Sequence, residues 1–233
     1  MSTQPIVLSL EGNIGAGKST ILAKLQTHLQ CHLQDSNVRI LFMKEPVDQW
    51  ESIIDPVSNE NILQKFYANP KTHAFSFQIM AYATRMNILR KMITDHQKEG
   101  EKLIIICERC LETDKEVFAK MLYDDGFIDD IHYQIYNLVS SENPFPVDGI
   151  IYLETDPSIC SQRISKRARS GENGIDIEYL KKCHEYHEAW FSKTTHSIIK
   201  INVNDDVTYD SLDVSDKGIM WLQQISEFIT TYL

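Results

Sequence analysis

The densest chemistry in the chain lies just after its first apolar run, where Gly12-Asn13-Ile14-Gly15-Ala16-Gly17-Lys18-Ser19-Thr20 fits the pattern G-x-x-x-x-G-K-[ST]. Each residue type has a physical task. The glycines let backbone N–H groups curl around phosphate oxygens, and the helix start that follows adds the positive end of its dipole. The lysine reaches the outer phosphates, and the hydroxyl is a ligand for Mg²⁺. Two acidic sites complete the set, Lys44-Glu45-Pro46-Val47 and Cys107-Glu108-Arg109-Cys110, each just past an apolar run. A carboxylate beside bound phosphate can hold Mg²⁺ with Ser19 or take a proton from an attacking hydroxyl. Glu108 follows a fully apolar strand and is assigned the metal, Glu45 the base, and Arg109 the cation that orients it. A third cluster is Arg163, Arg167 and Arg169, ahead of the polar Ser170–Gly174 run. Guanidinium groups on a hinged segment can neutralise a phosphoryl group in transfer and exclude water.

These groups meet only if the fold delivers them to one edge. Candidate strands are 6–10, 38–43, 103–107, 149–153 and 198–203, mostly continuous Val/Ile/Leu runs suited to burial on both faces. Helical patterns fall at about 18–33, 61–68, 73–97, 115–138, 157–169, 177–191 and 220–232. The alternation predicts an α/β fold with a five-stranded parallel sheet flanked by helices, and residues just past the strand ends then share a crevice. No linker or repeat interrupts it, so 1–233 is expected to be one domain with its phosphate loop at 12–19. In the 73–97 pattern, Phe75, Ile79, Tyr82, Met86, Leu89 and Ile93 form one apolar stripe, expected to face core or a subunit interface. Gln78 and Arg85 lie off that stripe, two turns and about 10.5 Å apart on a shared face.

Composition limits the partners. With 23 basic and 33 acidic side chains the net charge is −10, which argues against coating nucleic acid or anionic lipid but not against a compact anion site. No apolar run approaches membrane-spanning length. A strand beginning by Ile6 leaves no room for a leader, and the five scattered cysteines (31, 107, 110, 160, 183) read as thiols in a reducing compartment, so a cytoplasmic location is expected. Cys107-x-x-Cys110 and His184-x-x-His187 are each at most half a metal site and are expected to pack.

Glu11-Gly12 to Thr20, Glu45-Pro-Val with Trp50, Phe77-Gln78 with Arg85, Glu108-Arg109 with Asp114, the three arginines, Gly174 to Leu180 and His184-x-x-His-Glu-x-Trp190 occur in one order. Together they resemble the deoxyribonucleoside kinase family, of the deoxycytidine/deoxyguanosine kinase type. The resemblance implies a three-layer P-loop nucleoside kinase fold with an arginine-rich lid at about 163–174. It implies ATP or another nucleoside triphosphate as phosphate donor, Mg²⁺, a small deoxynucleoside acceptor and a homodimer. It casts Glu45 as base for the 5′-hydroxyl with Arg109 beside it, and Tyr67 and Glu178 as holders of the 3′-hydroxyl. Gln78 would read the base edge, with Trp50, Phe77 and Phe118 as aromatic walls. Arg85 and Asp114 would be a charged pair against the base, as in deoxycytidine and purine members rather than thymidine-preferring ones. Cys110 stands where the family commonly has Ser, and Phe145–Pro146 and Asp205–Ser215 match nothing assignable. The alternatives are a thymidylate-type monophosphate kinase, which usually has Asp-Arg after strand three, and a protein that only binds nucleotide, which has no use for a base. A GTPase is disfavoured by the missing Asn-Lys-x-Asp reader.

Overall fold

The computed structural model describes residues 4–32, 37–169, 171–210, 212–213 and 215–233. Five strands, β1 (Ile6–Gly12), β2 (Val38–Met43), β3 (Lys102–Glu108), β4 (Gly149–Glu154) and β5 (Ser197–Asn202), form one sheet in the order β2-β3-β1-β4-β5. All neighbours are parallel, with Leu8 opposite Ile106 of β3 and Leu10 opposite Ile151 of β4. The predicted strands are matched to within one or two residues. The expected first helix is α1 (Lys18–His32), and its last predicted residue, Leu33, lies outside the described residues.

Strand alternation sorts the core into layers. Leu8, Leu10, Ile104 and Ile106 pack on one side with Leu22 and Leu25 of α1 and with the last helix, whose Ile225 and Ile229 are fully buried. Val7, Leu103 and Ile105 face the other side, against Leu89. That side carries α4 (Pro70–His96), a helix about 40 Å long with proline at its first turn. Two short helices precede it, α2 (Val47–Glu51) and α3 (Ile62–Ala68), the latter closed by a capping box between Asn61 and Gln64.

One sequence expectation is narrowed and one changes. The most buried line of α4 is Ala74, Phe77, Gln78, Ala81, Tyr82, Arg85 and Leu89, whereas Phe75, Ile79, Met86 and Ile93 of the apolar stripe are only half-buried. The helix is thus rolled so that its polar pair points inward. The single helix expected over 115–138 is two. One begins as α5 (Leu111–Thr113), widens into a π-helical turn over Asp114–Ala119 and ends as α6 (Lys120–Asp124). Gly126, at φ 72°, reverses the chain, and Asp129 caps α7 (Asp130–Val139) by accepting from the His132 N–H. The apolar period runs through both helices, so only the Asp-Asp-Gly stop and the Asp cap mark the break.

The remaining helices are α8 (Pro157–Arg167), α9 (Ile177–Phe191) and α10 (Lys217–Thr230). Ala168, in the left-handed region at φ 49°, ends α8 before Arg169. Among the described residues no helix is long and apolar enough to cross a membrane.

Because nothing crowds a Cβ at Gly126, its glycine is required by backbone conformation alone. Gly126→Ala should lower unfolding free energy by about 1 kcal/mol, and Gly126→Asn by less. Urea melts read this directly; an unchanged midpoint for the alanine variant would contradict the turn assignment.

Candidate active site

The loop leaving β1 is shaped by two close approaches. A Cβ on Gly12 would stand 2.9 Å from the Leu153 carbonyl oxygen, and one on Gly15 would stand 2.6 Å from that of Cys160. Both glycines have positive φ, as does Gly17. Asn13 braces the loop rather than facing a ligand, its Nδ2 donating to the Leu180 carbonyl at 2.8 Å and its Oδ1 accepting from Ile14 N–H. The Lys18 ammonium donates to the carbonyls of Gly12 and Asn13 at 3.1 and 2.9 Å. Burial and then Arg109 pull its pKa down, against Glu108, Glu45 and Glu11, to about 8.

Strand ends deliver the acids. Ser19 Oγ donates to Glu108 Oε1 at 2.8 Å, so hydroxyl and carboxylate oxygens already share one point at the loop. Such a pair of hard oxygen ligands fits Mg²⁺, which takes one or two protein ligands and completes its shell with water and phosphate. Arg109 follows β3 with φ 61°, a conformation costing about 1–3 kcal/mol for a non-glycine residue. Its N–H extends the sheet by donating to Leu10 O, while Nη1 donates to Glu45 Oε1 at 2.8 Å and Nη2 to Gly12 O at 3.3 Å. The guanidinium lies 4.8 Å over the Phe118 ring. Burial would raise the Glu45 carboxyl, but Arg109, Arg85 and Lys18 outweigh it and hold the pKa at about 2.

Two cavities meet at these groups. One, of about 340 Å³, is walled by Trp50, Leu63, Phe66, Tyr67, Phe77, Gln78, Ala81, Asp114, Phe118 and Tyr179, with Glu45 and Arg109 at its inner end. The other, of about 530 Å³, runs from Gly15–Ile21 past Arg163 and Lys166 to Asp205, Asp206, Val207, Tyr209 and Trp221. Gly15, Lys18, Ser19, Glu108, Arg167 and Arg169 line both, which marks the passage between them.

The first cavity is a flat apolar slot. Phe66 and Phe77 stack at 4.6 Å between ring centres, Trp50 meets Phe77 edge-on at 5.5 Å, and Trp50 Nε1 is satisfied by Thr84 Oγ1. At one edge lies Gln78, 2% exposed, whose side-chain amide makes no hydrogen bond among the described residues and so offers a donor and an acceptor to the slot. Asp114 sits on the wall through the first position of the π-helical turn, a departure from α-geometry that is frequent at functional sites. Arg85 is not on the wall. At 1% exposure it lies behind Asp114, donating to both of its oxygens (2.9 and 3.4 Å), to Glu108 O at 2.7 Å and to Glu45 at 3.4 Å.

Glu178 is misplaced by the sequence reading. It lies on the exposed face of α9, paired with Lys181 at 2.7 Å, and lines neither cavity. The carboxylate that reaches the slot, on the same side as Tyr67, is Glu172, 6% exposed and bridging Arg167 (2.5 Å) and Arg169 (3.0 Å). It sits in a short 3₁₀ turn next to Gly171, whose positive φ and contact with Gln64 let the segment lie on α3. That polar turn was the available signal. Arg163 lines only the second cavity, donating to Asp205 O at 2.9 Å. Cys107, Cys110 and His187 are buried, and among the described residues no group of three metal-binding side chains forms.

Known protein sequences match this chain along nearly its whole length. A family model described as deoxynucleoside kinase matches residues 8–229. A probable deoxycytidine kinase of fowlpox virus is 35% identical over 230 residues, 96% of this chain and 88% of that protein. Human deoxycytidine kinase is 31% identical over 247 residues, covering 96% and 91%. The mitochondrial deoxyguanosine kinase of Xenopus laevis is 29% identical over 206 residues, covering 82% and 75%. The five-stranded parallel sheet, the phosphate loop and these matches together establish that the chain belongs to the deoxynucleoside kinase family.

Proposed function

We propose that this kinase transfers the γ-phosphoryl group of ATP to the 5′-hydroxyl of deoxycytidine or a purine deoxynucleoside, working as one domain over residues 1–233. The observation that carries the reading is the junction of the two cavities, where Glu45 faces Lys18, Ser19, Glu108 and the paired arginines. The acceptor lies in the aromatic slot, the donor in the cavity along Gly12–Thr20. A thymidylate-type monophosphate kinase is not favoured, since the matches are to kinases acting on nucleosides.

A carboxylate with a pKa near 2 is a weak base, yet it suits this step. Phosphoryl transfer passes through a loose transition state in which the attacking oxygen keeps its proton until bonding is advanced. Glu45 therefore first accepts a hydrogen bond that aims the hydroxyl, then takes the proton once P–O bonding has made it strongly acidic. Lys18, Arg167 and Arg169 neutralise the equatorial oxygens, with Arg163 steadying the donor side of the lid. Ser19 and Glu108 would hold Mg²⁺, which when bound would supply neutralisation of phosphate charge.

Tyr67 and Glu172, in place of Glu178, take the 3′-hydroxyl. Gln78 and Asp114 meet the base edge, Arg85 acting through Asp114. We further assign a homodimer formed across α7, where Ile131 (71% exposed), Ile135, Leu138 (75%) and Val139 make one solvent-facing apolar stripe beside half-buried Phe75, Ile79 and Met86 of α4. A cytoplasmic site of action accords with buried free thiols at Cys107, Cys110, Cys160 and Cys183.

Glu45→Gln should cut kcat roughly 100-fold or more while ATP binding stays within about twofold; wild-type turnover would remove Glu45 as base. Glu172→Gln should raise the deoxynucleoside KM by roughly tenfold, the loss of one charged hydrogen bond, whereas Glu178→Gln leaves kinetics unchanged. The reverse ranking would restore the sequence-based assignment. Arg85→Met with Asp114→Ala should shift selectivity from deoxycytidine towards thymidine, and an unchanged ratio of the two kcat/KM values would discard the base-reading role of Asp114.

A further inference from the structure

Beneath the phosphate loop lies a buried acid–base pair that the transfer step does not use. Glu11, the last side chain of β1 before Gly12, is 0% exposed, as is His187 in the third turn of α9. Glu11 Oε1 accepts from the hydroxyls of Ser9 and Thr113. Its Oε2 has no hydrogen-bond partner and faces His187 Nε2 at 3.8 Å, which has none either.

The other ring nitrogen fixes the chemistry. His187 Nδ1 lies 2.6 Å from the Cys183 carbonyl, which can only accept, so Nδ1 carries a proton. A neutral imidazole would then point the Nε2 lone pair at a carboxylate oxygen, setting two buried acceptors against each other. Protonation at Nε2 turns that repulsion into an ion pair.

We propose that Glu11 and His187 hold one proton between them as a buried carboxylate–imidazolium pair, fastening α9 and the Thr113–Asp114 turn to the root of the phosphate loop. They are positioning residues, since neither lines a cavity. Thr113 hands Glu11's position on to Asp114, its chain neighbour, and α9 also meets the loop through Leu180 and Asn13. Arg167 closes α8 and Arg169 follows it, ahead of the 3₁₀ turn at Glu172–Gly174 that leads into α9.

The ionisable groups facing the pair are Lys18 of α1, Cys107, Arg109 and Cys110 at the end of β3, Tyr152 of β4 and Cys183 of α9. Burial opposes charge on both members. For Glu11 it is outweighed by His187 and the two hydroxyls, which hold the carboxyl at about 2. For His187 burial outweighs the opposing pull of Glu11 and lowers the pKa, so the case for protonation is the geometry, two facing buried acceptors with no donor between them.

The effect on turnover rests on the kinase reading, but the protonation state does not, so the two are tested apart. In the wild-type protein, ¹⁵N NMR of His187, assigned by through-bond correlation to its own backbone, should place both ring nitrogens in the protonated range at pH 7. An unprotonated Nε2 at that pH overturns the proposal whatever the enzyme's activity. Glu11→Gln and His187→Gln should each lower kcat roughly tenfold with both KM values within about twofold, and the double variant should fall no further than the worse single one. Additive losses, or kcat unchanged in His187→Gln, would refute the positioning role.

Discussion

The structure turns on one buried guanidinium. Arg85 is almost wholly removed from water, and an unpaired charge there would be strongly destabilising, so each of its donors must find a fixed acceptor. It finds Asp114, the Glu108 carbonyl and Glu45, which belong to the π-helical turn, the end of β3 and the loop after β2. Three elements far apart in sequence are thereby held at one point. Removing any acceptor would leave a buried charge short of a partner, which is why this cluster sets geometry more firmly than apolar packing alone, where volume-conserving exchanges are tolerated.

That constraint also explains which parts of the fold were legible. The strands were readable because a sheet covered on both faces demands continuous apolar runs such as Leu103–Cys107. Glu45, Glu108 and Arg109 were readable because strand ends in a parallel sheet open on a shared crevice. The roll of α4 was not. Periodicity leaves the apolar stripe facing either core or a subunit interface, and pairing of Arg85 with Asp114 and Glu45 draws the polar pair inward and leaves Phe75, Ile79 and Met86 at the edge. A non-local ion pair decided what the local pattern left open. For the same reason the π-helical turn, which serves Asp114, had no local signature.

The exchange of Glu178 for Glu172 has a different cause. Both acids follow the arginine segment within a few residues, and position in the motif cannot say which faces the cavity. Helix phase puts Glu178 on the outer side of α9, whose buried residues are Leu180, Cys183, His187, Trp190 and Phe191. Glu172 turns inward because Gly171 permits a left-handed step that a side chain would resist, and two guanidinium groups are there to meet it.

The cations proposed to meet the polyanionic donor in a chain of net charge −10 lie around the two adjoining cavities, and each of them already has a protein partner. Lys18 holds loop carbonyls, Arg109 holds Glu45, Arg163 holds the Asp205 carbonyl, and Arg167 and Arg169 share Glu172. Binding phosphate therefore exchanges partners rather than pairing bare charges, and the ground-state gain is the difference between two favourable arrangements. Only a group whose charge distribution matches the arginines better than Glu172 does draws them fully across. On the roles proposed for these cations, the transferring phosphoryl, with charge spread over three equatorial oxygens, would be such a group, and the arrangement would favour the transition state over the bound substrates.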